Sequence, residues 1–168
     1  MKKIGVFFSF HSNKTSKIGY KIIEALGEDI AEPLNVEEIS EDQFNKYENI
    51  IAGVPTWFDG ELPNYWDEFL PALKDMDLLG KKIALYGLGD QVGYPENFND
   101  GIGILANVFA SQGAKIVGYT SATGYTFEKS KALKGDKFCG LCLDQENQAR
   151  LTSKRIEDWV VCLKDEFV

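Results

Sequence analysis

The stretch KIGVFFSFHSNKT, residues 3–15, decides how the chain is read. Its first half, residues 3–8 (KIGVFF), is a short continuous apolar run, the pattern of a strand covered on both faces. A polar loop follows. Ile18, Ile22, Ala25 and Leu26 then fall at i, i+4, i+7 and i+8, one stripe of an amphipathic helix that Gly27 stops. This strand–loop–helix unit recurs to the end of the chain. A weak strand is expected at 33–36, and Ser40 with Gln43 forms a capping box for a short helix. Residues 49–54 (NIIAGV) read as strand three, which Pro55 ends. A helix is expected over 65–73, strand four at 82–87 (KIALYG), and a helix over 101–112. Residues 116–119 start a fifth strand. About twenty loop-like residues intervene before 138–143 resumes the apolar run. The last helix carries Ile156, Trp159, Val160, Leu163 and Phe167 on one stripe.

Alternating helices and continuously apolar strands imply a parallel sheet with helices on both faces. The expectation is an α/β fold in one domain over 1–168. Its five-stranded sheet is doubly wound in the order 2-1-3-4-5, with an insertion in the fifth strand. In that order the ligand crevice lies outside the carboxyl ends of strands one and three, where the winding reverses. Three loops are thereby singled out before any motif is consulted: 9–15, 55–60 and 88–99.

Composition narrows the function classes. The net charge of −8 gives a surface that repels nucleic acid and anionic lipid headgroups, so neither is an expected partner. It attracts basic proteins, or serves solubility alone. No apolar run approaches a membrane span and no signal-peptide pattern opens the chain, so a cytoplasmic location is expected. The three cysteines, Cys139, Cys142 and Cys162, do not suit a disulfide framework. The C-x-x-C at 139–142 falls in a run that reads as a buried strand. Its thiols are expected as small hydrophobes, not metal ligands.

Loop one comprises Ser9, Phe10, His11, Ser12, Asn13, Lys14 and Thr15. Lying between a strand and a helix, it gathers free N–H groups and the positive end of the helix dipole, which makes an anion site. The alternative is that Ser12 or Thr15 merely caps the helix. No Walker loop is present. Loop two comprises Pro55, Thr56, Trp57, Phe58, Asp59 and Gly60. Its tryptophan offers a flat face for a tricyclic ring, or folds back on a neighbouring loop. Loop three contains Gly89, Asp90, Gly93, Tyr94, Asn97, Phe98 and Asn99. Its glycines lack the spacing of a dinucleotide fingerprint. Tyr94 offers a second flat face, and Asp90, Asn97 and Asn99 offer polar edges. A phosphate cradle, two aromatic plates and polar groups between them suit a phosphorylated flat cofactor. A response regulator shares the topology, but strand one ends here in Phe8 and Ser9, not in carboxylates.

Over essentially its whole length the chain resembles a long-chain flavodoxin. The resemblance is carried by P-T-W at 55–57, G-x-G-D-Q-x-G-Y at 87–94 and N-F at 97–98. Further matches are G-Y-x-F-x-x-S-K-A at 124–132, K-F-x-G-L-x-L-D-x-x-N-Q at 137–148 and R-I-x-x-W at 155–159. The interruption between Tyr119 and Phe138 resembles the insertion that defines the long-chain class. The resemblance implies FMN held between Trp57 and Tyr94 with its phosphate on loop one, the three loops above supplying all the binding residues. It implies a low-potential one-electron carrier, not an enzyme. Partners would be a flavodoxin reductase and other redox proteins, met transiently by a monomer. An acidic face of Asp59, Glu61, Asp67, Glu68, Glu96, Asp100 and Glu146 would serve those encounters. The alternative is an FMN-dependent reductase passing hydride from NAD(P)H to a quinone-type acceptor. A flavin-free interaction module is a third reading.

The resemblance has departures. The family's phosphate loop reads T-x-T-G-x-T. Aligned on Thr15, this chain has Phe10 in the first place and Asn13 where glycine is usual. Asn13 is expected to tolerate a positive φ. Phe10 removes a hydroxyl donor worth about 1.5–3 kcal/mol to a charged acceptor. Its backbone N–H remains, and Ser9 is placed to compensate. Phe58 stands where the family commonly has asparagine.

Overall fold

The computed structural model describes residues 3–167. Strands β1 (Ile4–Phe8), β2 (Ala31–Asn35), β3 (Asn49–Gly53), β4 (Lys82–Leu88) and β5 (Lys115–Val117) pair in the order β2-β1-β3-β4-β5. All these pairings are parallel, and the expected doubly wound order is the one observed. β1 is buried at every residue and β3 at all but its first, which is why both read as unbroken apolar runs and not as alternations.

Helices α1 (Lys14–Leu26), α2 (Glu41–Asn45), α3 (Asn64–Lys74), α4 (Asp100–Ser111) and α5 (Thr152–Glu166) cover the two faces. On one face Ile18 and Ile22 of α1 and Trp159, Val160 and Leu163 of α5 pack on Val6, Phe8, Ile51 and Tyr86. On the other, Phe44, Trp66 and Phe109 from α2, α3 and α4 pack on Phe7, Ile50 and Leu85. The Ser40 hydroxyl accepts the Gln43 N–H at 3.1 Å, as the capping sequence requires. Gly27 ends α1 at φ +114°, donating its N–H to the Ile23 carbonyl at 2.8 Å.

The fifth strand is built in two pieces. β5 pairs with Lys82–Ala84 of β4. A segment further along, labelled β9 below, pairs with Tyr86–Leu88. Between the two pieces lies the insertion, a three-stranded antiparallel sheet of β6 (Thr120–Ser121), β7 (Leu133–Lys134) and β8 (Lys137–Phe138). Strand β9 (Leu141–Leu143) follows it. Both observed pieces are shorter than the runs expected, 116–119 and 138–143. Gly118, at φ +79°, ends β5 and leaves Tyr119 outside it. Phe138 belongs to the inserted sheet, and only Leu141–Leu143 rejoins the main one. Cys139 and Cys142 are buried as expected, whereas Cys162 is exposed on α5. Burial pushes the thiols of Cys139 and Cys142 above their ordinary range. No described helix is long and apolar enough to cross a membrane.

Candidate functional site

The carboxyl ends of β1, β3, β4 and β9 open into a cleft of about 600 Å³. Loop one closes one end of it. The N–H groups of Lys14 and Thr15 belong to the first turn of α1, where no intrahelical acceptor exists. Ser12 donates its hydroxyl to the Ser9 carbonyl at 2.6 Å and accepts the Ser16 N–H at 3.0 Å. Ser12 therefore does cap the helix, and it also lines the cleft. The buried phenol of Tyr86 donates to the Thr15 carbonyl at 2.9 Å and pins the first turn to the sheet.

The far side of loop one differs from expectation. The Ser9 hydroxyl donates to Glu37 Oε1 at 3.0 Å, so it does not compensate for the donor lost at Phe10. The Phe10 N–H is also engaged, donating to Asn35 Oδ1 at 3.2 Å. Phe10 turns its ring onto Phe8, with centroids 5.4 Å apart, away from the cleft. His11 Nδ1 lies 2.6 Å from Glu37 Oε2. Asn13 has φ −80°, so the turn asks for no positive φ and its glycine is dispensable here.

Loop two is a tight hairpin. Trp57 and Glu61 exchange backbone hydrogen bonds of 2.8 and 2.7 Å, bracketing Phe58, Asp59 and Gly60. Phe58 at φ +50° and Gly60 at φ +93° make the reversal. Trp57 stands edge-on to Tyr65 at 5.9 Å and keeps part of its ring exposed toward the cleft. The Thr56 hydroxyl accepts the Gly101 N–H at 2.9 Å, tying loop two to the start of α4.

Loop three is organised by Asp90, which accepts from the N–H groups of Val92 and Gly93 and from the Asn147 amide. The Gly93 N–H, followed by that amide, holds the Asp90 carboxyl below its ordinary value. Tyr94 is half exposed on the cleft wall, facing the same space as Trp57, and Asn97 lies between loop and helix. Two expectations are corrected here. Phe98 is fully buried, its ring 5.5 Å from Phe127 and 5.6 Å from Tyr125, so it belongs to the core under the insertion. Asn99 is fully buried at φ +51° and donates to the Leu143 carbonyl at 3.3 Å. A Cβ at Gly87 would lie 2.5 Å from the Val54 carbonyl and 2.7 Å from Asn99 Oδ1, and one at Gly89 2.9 Å from Asn99 Nδ2, so both glycines make room for the packed β3–Asn99 neighbourhood.

Twelve of the expected residues thus line one cleft: Ser12, Asn13, Lys14 and Thr15, then Pro55, Thr56, Trp57 and Phe58, then Gly89, Asp90, Tyr94 and Asn97. Ser9, Phe10, His11, Asp59, Gly60, Gly93, Phe98 and Asn99 support these loops without lining it. Sequence reasoning named no cofactor contact at Tyr65, at Leu88, the first residue of loop three, or in a fourth loop, where Gln145 and Glu146, the latter expected only on the acidic face, complete the wall. That loop hangs on Asp144. Its buried carboxylate accepts from Gln91 N–H and Nε2, from Glu146 and Asn147 N–H, and from the Asn147 amide. The signal was available: Asp144 closes the resumed fifth strand, at the same carboxyl edge as the other three loops. Lys14, the cation of the wall, pairs with Glu146.

The family model for flavodoxins matches residues 6–159. The chain belongs to the flavodoxin family. This flavodoxin is 43% identical to a Nostoc flavodoxin over 99% of its own length and 98% of the relative's. It is 38% identical to flavodoxin 1 of Escherichia coli, over 97% of this chain and 93% of that one. Among solved structures, the flavodoxin of Fusobacterium nucleatum bound to flavin mononucleotide superposes with a TM-score of 0.93. That match has 38% identity and covers 100% of both chains.

Proposed function

We propose that this flavodoxin holds one FMN non-covalently in the cleft and works as a low-potential one-electron carrier. The observation that carries the reading is one cleft with a helix N-terminus at its end and two partly uncovered aromatic rings, Trp57 and Tyr94, on its walls. Its volume of about 600 Å³ falls within the range of small-molecule and cofactor sites. The N–H groups of Asn13, Lys14 and Thr15 at the start of α1 suit a phosphate, and the rings suit an isoalloxazine. FMN-bound Fusobacterium flavodoxin supports the same assignment.

FMN supplies a ring that takes up and releases electrons one at a time. The protein's residues set the terms. The first turn of α1 anchors the phosphate. Trp57 and Tyr94 cover the ring faces, exclude water and deny a nicotinamide the stacking surface a hydride transfer needs. Asp59, Glu61 and Glu96 are exposed near the cleft and oppose added negative charge there. One carboxylate about 8 Å away at an effective dielectric near 20 contributes about 2 kcal/mol, on the order of 90 mV for one electron. Several together make the fully reduced protein a strong reductant.

The reading extends to partners. An NAD(P)H-dependent flavodoxin reductase and other redox proteins meet an acidic face of Asp59, Glu61, Asp67, Glu68, Glu96 and Glu146, all exposed. Asp100 leaves that face: it is buried, accepting from the Asn97 amide and the Lys131 N–H. A cytoplasmic monomer suits a shuttle that meets several proteins in turn. NADPH added alone, without a reductase, should leave the yellow absorbance of the holoprotein unchanged. Direct bleaching would contradict the carrier and favour a hydride-accepting enzyme.

A further inference from the structure

A second cavity, of about 440 Å³, adjoins the flavin cleft. Trp57 and Tyr65, standing edge-on at 5.9 Å, line both and form the wall between them. Phe69 adds a third ring to the second cavity, and Val36 and Ile39 add aliphatic surface. Its polar lining is acidic. Glu37 and Glu68 bring two carboxylates, and among the described residues no lysine or arginine lines the cavity or pairs with either. Glu37 accepts the Ser9 hydroxyl on one oxygen and meets His11 Nδ1 with the other, which leaves acceptor capacity on both.

The Tyr65 phenol stands apart from these charges. Tyr65 is only 8% exposed, and its hydroxyl has no hydrogen-bond partner among the described residues. Buried hydroxyls left alone are uncommon in native proteins. Burial, and then the negative charge of Glu37, pushes the phenol above its ordinary range. Glu37 lines the second cavity and not the flavin cleft, so the hydroxyl is turned to the acidic side of the wall.

We propose that this second cavity receives the guanidinium group of an arginine presented by a docking protein. A guanidinium is planar, stacks on aromatic faces and offers a carboxylate two N–H groups at once. Trp57, Tyr65 and Phe69 supply the faces. Glu37 and Glu68 supply the charged acceptors, and the Tyr65 oxygen supplies another. Val36 and Ile39 cover the methylene stem. Three rings and two carboxylates suit this flat cation better than a hard metal ion, which takes six or more oxygens. Glu68 is exposed and belongs to the acidic face as well, so a basic partner steered to that face brings its arginines to the mouth of the cavity. The inference rests on that reading of the acidic face.

NMR titration of the holoprotein with an acetyl-Gly-Arg-Gly-amide peptide tests it, with citrulline in place of arginine as the neutral isostere. The Trp57 indole N–H signal should shift saturably with the arginine peptide and stay in place with the citrulline peptide. Glu68→Gln should weaken arginine-peptide binding about threefold or more, and Tyr65→Phe about twofold or more. Asp67→Asn removes a charge from the same face outside the cavity and should leave binding unchanged. An equal response to the two peptides overturns the proposal. So does an equal loss from Asp67→Asn and Glu68→Gln, which would make the attraction a property of the whole face. If the arginine peptide does not bind while the rate with a basic reductase still falls with salt, the cavity proposal fails and the acidic face stands. If the rate ignores salt as well, both fail.

Discussion

Asp90 shows how a single side chain shapes a wall of the cleft. Its carboxylate accepts two N–H groups of its own loop, at 3.1 Å from Val92 and 2.8 Å from Gly93, and the Asn147 amide at 2.7 Å. These bonds favour the ionised form and lower its pKa in the folded protein. The stabilisation is fully present above the ordinary carboxylate value of about 3.9 and is lost as pH falls through the lowered folded value. Asp90→Asn should therefore lower the urea midpoint at neutral pH, and the gap to wild type should close as pH falls through the lowered folded value. A gap independent of pH would contradict the assignment. The residue scale is also where the sequence is hardest to read. Trp57 and Tyr94 were legible because large rings in loops at strand ends have few structural uses. Phe98 and Asn99 were not, because a left-handed turn at Asn99 carries both side chains inward, and nothing in the local residue pattern specifies that turn. Phe10 was half legible: its lost hydroxyl is plain in the sequence, while the diversion of its N–H to Asn35 depends on β2 lying beside β1.

At the scale of elements the alternation of apolar runs and helical stripes determined the sheet order. Long continuous runs have one low-energy use in such a chain, as strands buried on both faces. The split fifth strand was visible only as an interruption. Its two pieces pair with different halves of β4, a tertiary choice that local propensity does not record. The fourth loop was missed for the same reason, since it becomes part of the site only after β9 returns to the sheet. Asp144 holds that loop to loop three through Gln91. Asp144→Ala leaves the buried N–H and Nε2 donors of Gln91 without an acceptor, at roughly 1–3 kcal/mol each. The variant should lose about 3 kcal/mol of stability by urea unfolding and bind FMN more weakly, because the Tyr94 wall loosens with it. Wild-type stability would show that Asp144 is a bystander. Asp144→Asn keeps an acceptor and should lie between the two.

For the whole molecule, the surplus of eight negative charges becomes useful only if it is placed where partners dock. A carrier that meets more than one protein needs complexes that form quickly and part quickly, so steering suits it better than tight packing. With a basic reductase the bimolecular rate should fall as salt rises towards 0.15 M, where the screening length is about 8 Å. Reversing Asp59, Glu61 and Glu96 together should flatten that dependence and leave FMN affinity nearly intact. A triple variant with the wild-type salt profile would mean that the acidity serves solubility alone. All of this presupposes that the cleft holds a phosphorylated flavin, and equilibrium titration of the apoprotein with FMN and with riboflavin tests that most directly. The account predicts one FMN per chain and riboflavin binding at least tenfold weaker, a gap of about 1.4 kcal/mol supplied by the first turn of α1. Equal affinities for the two would contradict it.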